Sequence, residues 1–136
     1  MKRHTLVFGF LSLLIVALAA CGGAPATEID LSTLAVDLQA SDVNSLRENP
    51  DVVVIDVREQ YEYDEGHIPG VTLIPLGSIP NRLDEIPTDK EVVFVCRSGN
   101  RSNQATQFLQ QRGFENIHNM LGGMNAWQKA GYDIER

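Results

Sequence analysis

The 136-residue chain carries 11 basic and 18 acidic residues, a formal net charge of −7, and is 43% hydrophobic and 21% charged. That length and balance fit one globular domain with one core and exclude a disordered chain. The acidic excess, with no basic stripe interleaved with aromatics, excludes capture of nucleic acid by charge.

The chain opens on MKRHT, with two positive charges, followed by LVFGFLSLLIVALAA, fifteen mostly apolar residues ending in small ones. This is the layout of an export signal and is short for a spanning helix. The next residue is Cys21, and the LAAC junction resembles the lipobox of bacterial lipoproteins. The resemblance implies a signal peptide over 1–20, a diacylglyceryl group on the Cys21 thiol, and a lipidated N-terminus and tether over 21–34 that includes GGAPAT, the alternatives being an ordinary secretory signal or an uncleaved anchor. It also implies an exported protein held at a membrane, facing the periplasm or the cell exterior. Removing 1–20 deletes Lys2 and Arg3 and no acid, leaving nine basic and eighteen acidic residues. Such a domain is not held to a membrane by a basic patch, so the lipid is the expected anchor.

In the domain over 35–136, Ser41 is placed to cap a helix running to about Glu48, stopped by Asn49-Pro50, with Val43 and Leu46 facing inward. VVVID at 52–56 is apolar and β-branched, as a strand buried on both faces of a parallel sheet should be. REQYEYDEG reads as a helical turn ending at Gly66. TLI is a short strand, and SIPNRLDEI a short helix before Pro87.

EVVFV at 91–95 is a second apolar strand, ending at Cys96. SNQATQFLQQRG predicts a helix with Ala105, Phe108 and Leu109 on one face, Ser102 as its cap and Gly113 at its stop. NIHNM is a further strand, and NAWQKAG a last helix closed by Gly131. The alternation implies an α/β architecture, a parallel sheet of about five strands with helices on both faces. Ligands of such sheets bind beyond the carboxyl ends of the strands, where Cys96 stands.

If Cys21 is lipidated, Cys96 has no partner in its own chain, which marks either a reactive thiol or an intermolecular bridge. With no Cys-x-x-Cys pair, and with His4, His67 and His118 scattered, neither a metal nor a cofactor is expected. The sequence around the thiol is asymmetric, apolar before it and CRSGNRS from it onward. A thiolate is the nucleophilic form and needs positive potential to exist at neutral pH. Three sources are expected: Arg97, Arg101, and the amides of residues 97–102 as they enter the following helix. Gly99 permits the turn. Arg101 opposes the dipole of that helix, so a nearby anion is expected to offset it.

The stretch from about Val52 to the end resembles a single rhodanese-type sulfurtransferase domain. CRSGNRS is similar to that family's active-site loop, and DVRE at 56–59, EGHIPG at 65–70 and LGGMNAW at 121–127 fall where its other signatures lie. The resemblance implies a rhodanese-like three-layer fold with a roughly five-stranded parallel sheet. It also implies a reaction in which Cys96 takes the outer sulfur of a small anionic donor such as thiosulfate and passes it, as a persulfide, to cyanide or a thiol. Arg97, Ser98, Gly99, Asn100, Arg101 and Ser102 would cradle the donor.

Of the remaining signature residues, His67 reads as a structural hydrogen-bonding group, because a low-pKa thiol needs no base. Asp56 and Arg58 read as an ordering pair at a strand end. Gly122, Gly123 and Trp127 read as a tight turn and its packing anchor, with the indole a possible pocket wall. Two alternatives are a rhodanese-like binding or redox-sensing module without turnover, and a phosphatase or arsenate reductase of the same fold. The latter carry Cys-x5-Arg, whereas Cys96 to Arg101 is Cys-x4-Arg, a count that favours sulfur over phosphate.

Overall fold

The computed structural model describes residues 29–136. The expected signal peptide, Cys21 and most of the tether lie outside the described residues. Five strands form one sheet: β1 (Asp37–Leu38), β2 (Val52–Asp56), β3 (Thr72–Leu73), β4 (Glu91–Val95) and β5 (Ile117–Met120). Their order is β1-β5-β4-β2-β3, with every pairing parallel. The α-helices are α1 (Ala40–Leu46), α2 (Gln60–Glu65), α3 (Asn100–Gln110) and α4 (Gly123–Lys129). No described helix is long and apolar enough to cross a membrane.

The two apolar runs, β2 and β4, are two of the three inner strands, and their continuity in sequence follows from burial on both faces. Side chains alternate across a strand, so Val93 and Val95 enter one core with Val52, Val54, Val43, Leu46, Met124 and Trp127. Val92, Phe94 and Cys96 enter the other, with Ile55, Val57, Ala105 and Leu109. Helices α1 and α4 therefore cover one face and α3 the other. Strand β4 is the middle strand, so Cys96 stands at the carboxyl end of the sheet's centre.

Four local expectations are corrected. Strand β1, two residues long, was not foreseen, because two residues carry no periodicity. Helix α1 starts one residue before Ser41: the Asp42 carboxylate accepts from the Gln39 amide at 2.8 Å, closing the first turn around Gln39. Residues 78–86 form no single helix; 3-10 segments Leu76–Asn81 and Leu83–Glu85 meet at Arg82, with Pro80 inside the first. Proline has no amide to donate, which disfavours a continuous helix there. Finally, α3 is capped by Gly99, and Ser102 lies inside it, fully buried.

Candidate active site

Strand β4 delivers Cys96, and residues 96–99 lead directly into α3. Cys96 is 1% exposed, its sulfur lying beneath the loop that follows it. Gly99 N donates to Sγ at 3.1 Å, and the Ser102 hydroxyl lies 3.4 Å from it. Burial pushes the thiol pKa up. The amides of Ser102, Ser98 and Gly99, together with the Ser102 hydroxyl when it turns its proton to the sulfur, outweigh burial and hold it below the ordinary thiol value. Of the loop amides, those of Ser98, Gly99 and Ser102 bear on the sulfur and form a cradle around it. Gly99 makes it with φ of 96°, and a Cβ there would meet Gly122 N at 3.1 Å.

The cradle is held from behind by the first turn of α4. Met124 N donates to the Cys96 carbonyl at 2.8 Å and Asn125 N to the Arg97 carbonyl at 3.0 Å. This close approach needs Gly123, whose φ is 54° and whose Cβ, if present, would lie 2.2 Å from the Cys96 carbonyl oxygen. Gly123 is therefore a spacing residue of the loop. Trp127, one turn on, is fully buried, and its indole N–H donates to the Asp133 carbonyl at 2.8 Å. It belongs to the core.

The two arginines do not reach the sulfur. Arg101 donates from Nη1 and Nη2 to the two oxygens of Glu62, at 2.7 and 2.8 Å, and Arg97 Nε donates to Glu62 Oε1 at 3.1 Å. The Glu59 amide adds a bond at 3.2 Å. The Glu62 side chain is only 2% exposed, and the hydrogen bonds from Arg101 lead in pushing its carboxyl down to about 2, against burial. The same pair raises the Arg101 pKa, with the Cys96 charge adding a lesser share. The anion that Arg101 calls for in its helix is thus part of the chain itself. Glu62 was missed, although the misplaced Arg101 pointed to such a partner.

Asp56 and Arg58 form a buried two-pronged pair at 2.7–3.0 Å, and Arg58 Nη2 also donates to the Gly66 carbonyl at 2.9 Å. His67 Nδ1 lies 2.9 Å from the Tyr63 carbonyl, and its ring stacks on Tyr63 at 3.6 Å. A cleft of about 230 Å³ is lined by Arg58, Glu62, Gly66, Arg97 and Asn125. Another, of about 190 Å³, is lined by Asp37, Ser98, Gly99, Asn100 and Asn119. Cys96 forms part of neither wall; the loop separates them.

The model of the rhodanese-like domain family matches residues 39–130, a span that contains the whole cradle and its supports. The chain belongs to the rhodanese-like domain family. A sulfurtransferase of Allochromatium vinosum is 42% identical over 89 residues, covering 65% of this chain and 83% of that protein. The thiosulfate sulfurtransferase GlpE of Pseudoalteromonas translucida is 35% identical over 85 residues, 62% of this chain and 81% of that one. Among solved structures, a rhodanese-related protein from Thermoplasma volcanium superposes with a TM-score of 0.69 at 31% identity, covering 74% of this chain and 98% of that one. The rhodanese-like fold, with its five-stranded parallel sheet between helices, accounts for the position of Cys96 at the head of β4.

Proposed function

We propose that this rhodanese-like domain is a sulfurtransferase that carries sulfane sulfur on Cys96, from a small anionic donor such as thiosulfate to a thiol or cyanide. One observation carries the reading: the Cys96 sulfur sits at the end of the central strand, under the backbone amides of Ser98, Gly99 and Ser102, which favour its charged form. In the first half-reaction the thiolate attacks the outer sulfur of thiosulfate. A sulfur–sulfur bond forms to Cys96, the original one breaks, and its electron pair leaves with sulfite. In the second, an acceptor thiolate or cyanide takes the outer sulfur and Cys96 leaves as thiolate. Charge on sulfur is present in both steps, and the amides stabilise it without moving.

Arg97 spends only its Nε on Glu62, and its half-exposed guanidinium lines the larger cleft, where a departing sulfonate has donors to meet. Arg101, bound at both terminal nitrogens, orders the loop instead. The relatives named as sulfurtransferases support the chemistry, and the Cys-x4-Arg count supports sulfur over phosphate. The test compares thiosulfate-to-cyanide transfer with hydrolysis of an aryl phosphate. Wild-type protein should transfer sulfur and Cys96→Ser should not; phosphate turnover exceeding sulfur transfer would overturn the assignment.

We further propose that the mature domain is exported and anchored by lipid on Cys21. The LAAC junction after an apolar leader supports this, as does an acidic domain that cannot adhere to anionic membranes by charge. Cys21→Ser should leave the membrane fraction or retain its signal; a correctly cleaved, membrane-retained variant would contradict the anchor.

A further inference from the structure

Ser102 has one hydroxyl proton and three acceptors within reach. Its Oγ lies 2.7 Å from Asn119 Oδ1, 3.1 Å from the Gly99 carbonyl and 3.4 Å from Cys96 Sγ. A hydroxyl donates once, so these bonds are alternatives. The shortest leads away from the sulfur, and Ser102 then turns a lone pair toward Cys96, which suits a neutral S–H and opposes a thiolate.

What fixes the direction lies on the edge strand. Asn119 Nδ2 donates to Asp37 Oδ1 at 2.8 Å, and reversing the amide would set its oxygen against that carboxylate. The register of β1 on β5 pairs Asp37 with Asn119. Asn119 is 2% exposed, while Asp37 is exposed in the smaller cleft. A continuous polar chain therefore runs from the surface through Asn119 and Ser102 to the buried sulfur.

We propose that Asp37 and Asn119 are positioning residues for the nucleophile: the Asp37 carboxylate fixes the Asn119 amide, which holds the Ser102 hydroxyl proton away from Cys96 until the sulfur carries charge. The proposal rests on Cys96 being the nucleophile and deepens that reading with a restraint on its ionisation. The other charged groups around the sulfur are already paired. Arg97 and Arg101 of the loop and α3 bind Glu62 of α2, and Asp56 binds Arg58 beyond β2. The first turn of α4 carries no charge.

The experiment reads the rate of iodoacetamide labelling at Cys96 against pH, resolved by peptide mass in the full-length protein. Asp37→Ala frees the amide to reverse and the hydroxyl to bond the thiolate. The Cys96 midpoint should fall by about one pH unit, the worth of one hydrogen bond to a charged group. Loss of a nearby negative charge would also lower it, and two comparisons separate the causes. Asp37→Asn removes the charge yet still presents an acceptor to Nδ2 in one of its two amide orientations, so its midpoint should fall less than that of Asp37→Ala. In a Ser102→Ala background the effect of Asp37→Ala should shrink to less than about a third, the residue left by screened charge at an exposed site. An unchanged midpoint in Asp37→Ala, a fall in Asp37→Asn as large as in Asp37→Ala, or equal falls in both backgrounds would overturn the proposal. Labelling uses no sulfur donor, so this restraint can fail while sulfur transfer stands, and the reverse.

Discussion

Glu62 binds two arginines that lie 35 and 39 positions further along the chain. Its carboxyl, held at about 2 against an ordinary 4.5, is depressed on folding. The stabilisation it brings is therefore complete above about pH 4.5 and drains as pH falls toward 2. Glu62→Gln is expected to cost about 3 kcal/mol at pH 7 and only about 1 kcal/mol at pH 3, where wild type has lost most of the advantage. Denaturant midpoints of both proteins at the two pH values check this; a gap that stays constant would show that the charge is not what matters. The residues that could be read in sequence were those whose chemistry is local: a thiol between an apolar strand and a donor loop, and glycines at turns. Glu62, Asn119 and Asp37 were not legible, because each acts through a contact that only the folded sheet creates.

At the scale of elements, the loop is shaped by α4 as much as by its own residues. The Gly-Gly pair at 122–123 was legible as a tight turn, but not which backbone it would meet. Gly123→Ala adds a methyl 2.2 Å from the Cys96 carbonyl at a φ of 54°, and rigid backbone cannot give way as a side chain can. The substitution should cost at least about 2 kcal/mol. It should also reduce sulfur transfer beyond what the folded fraction explains, because Cys96 and Arg97 must shift. Chemical denaturation and an activity measurement on the folded protein test both halves; a stable, fully active variant would show that the α4 turn does not set the loop. The apolar strands were plain in sequence from their continuity. Strand β1, and the 3-10 character of 76–85, follow from tertiary pairing and from Pro80, and gave little periodic signal.

Over the whole molecule, the alternation of strand and helix implied the α/β layers, and the sheet has the five parallel strands expected. The strand order was not inferred. It matters for function, because placing β4 in the middle puts Cys96 where both neighbouring strands, α3 and the turn of α4 converge on one sulfur. The central claim is that this sulfur becomes a carrier. The most direct measurement is the intact mass of the protein after brief exposure to thiosulfate, followed by a thiol. Wild type should gain the mass of one sulfur atom, located at Cys96, and lose it again on adding the thiol, while Cys96→Ser gains nothing. A wild-type protein that stays unmodified, or a Cys96→Ser variant that still gains the sulfur, would contradict the account.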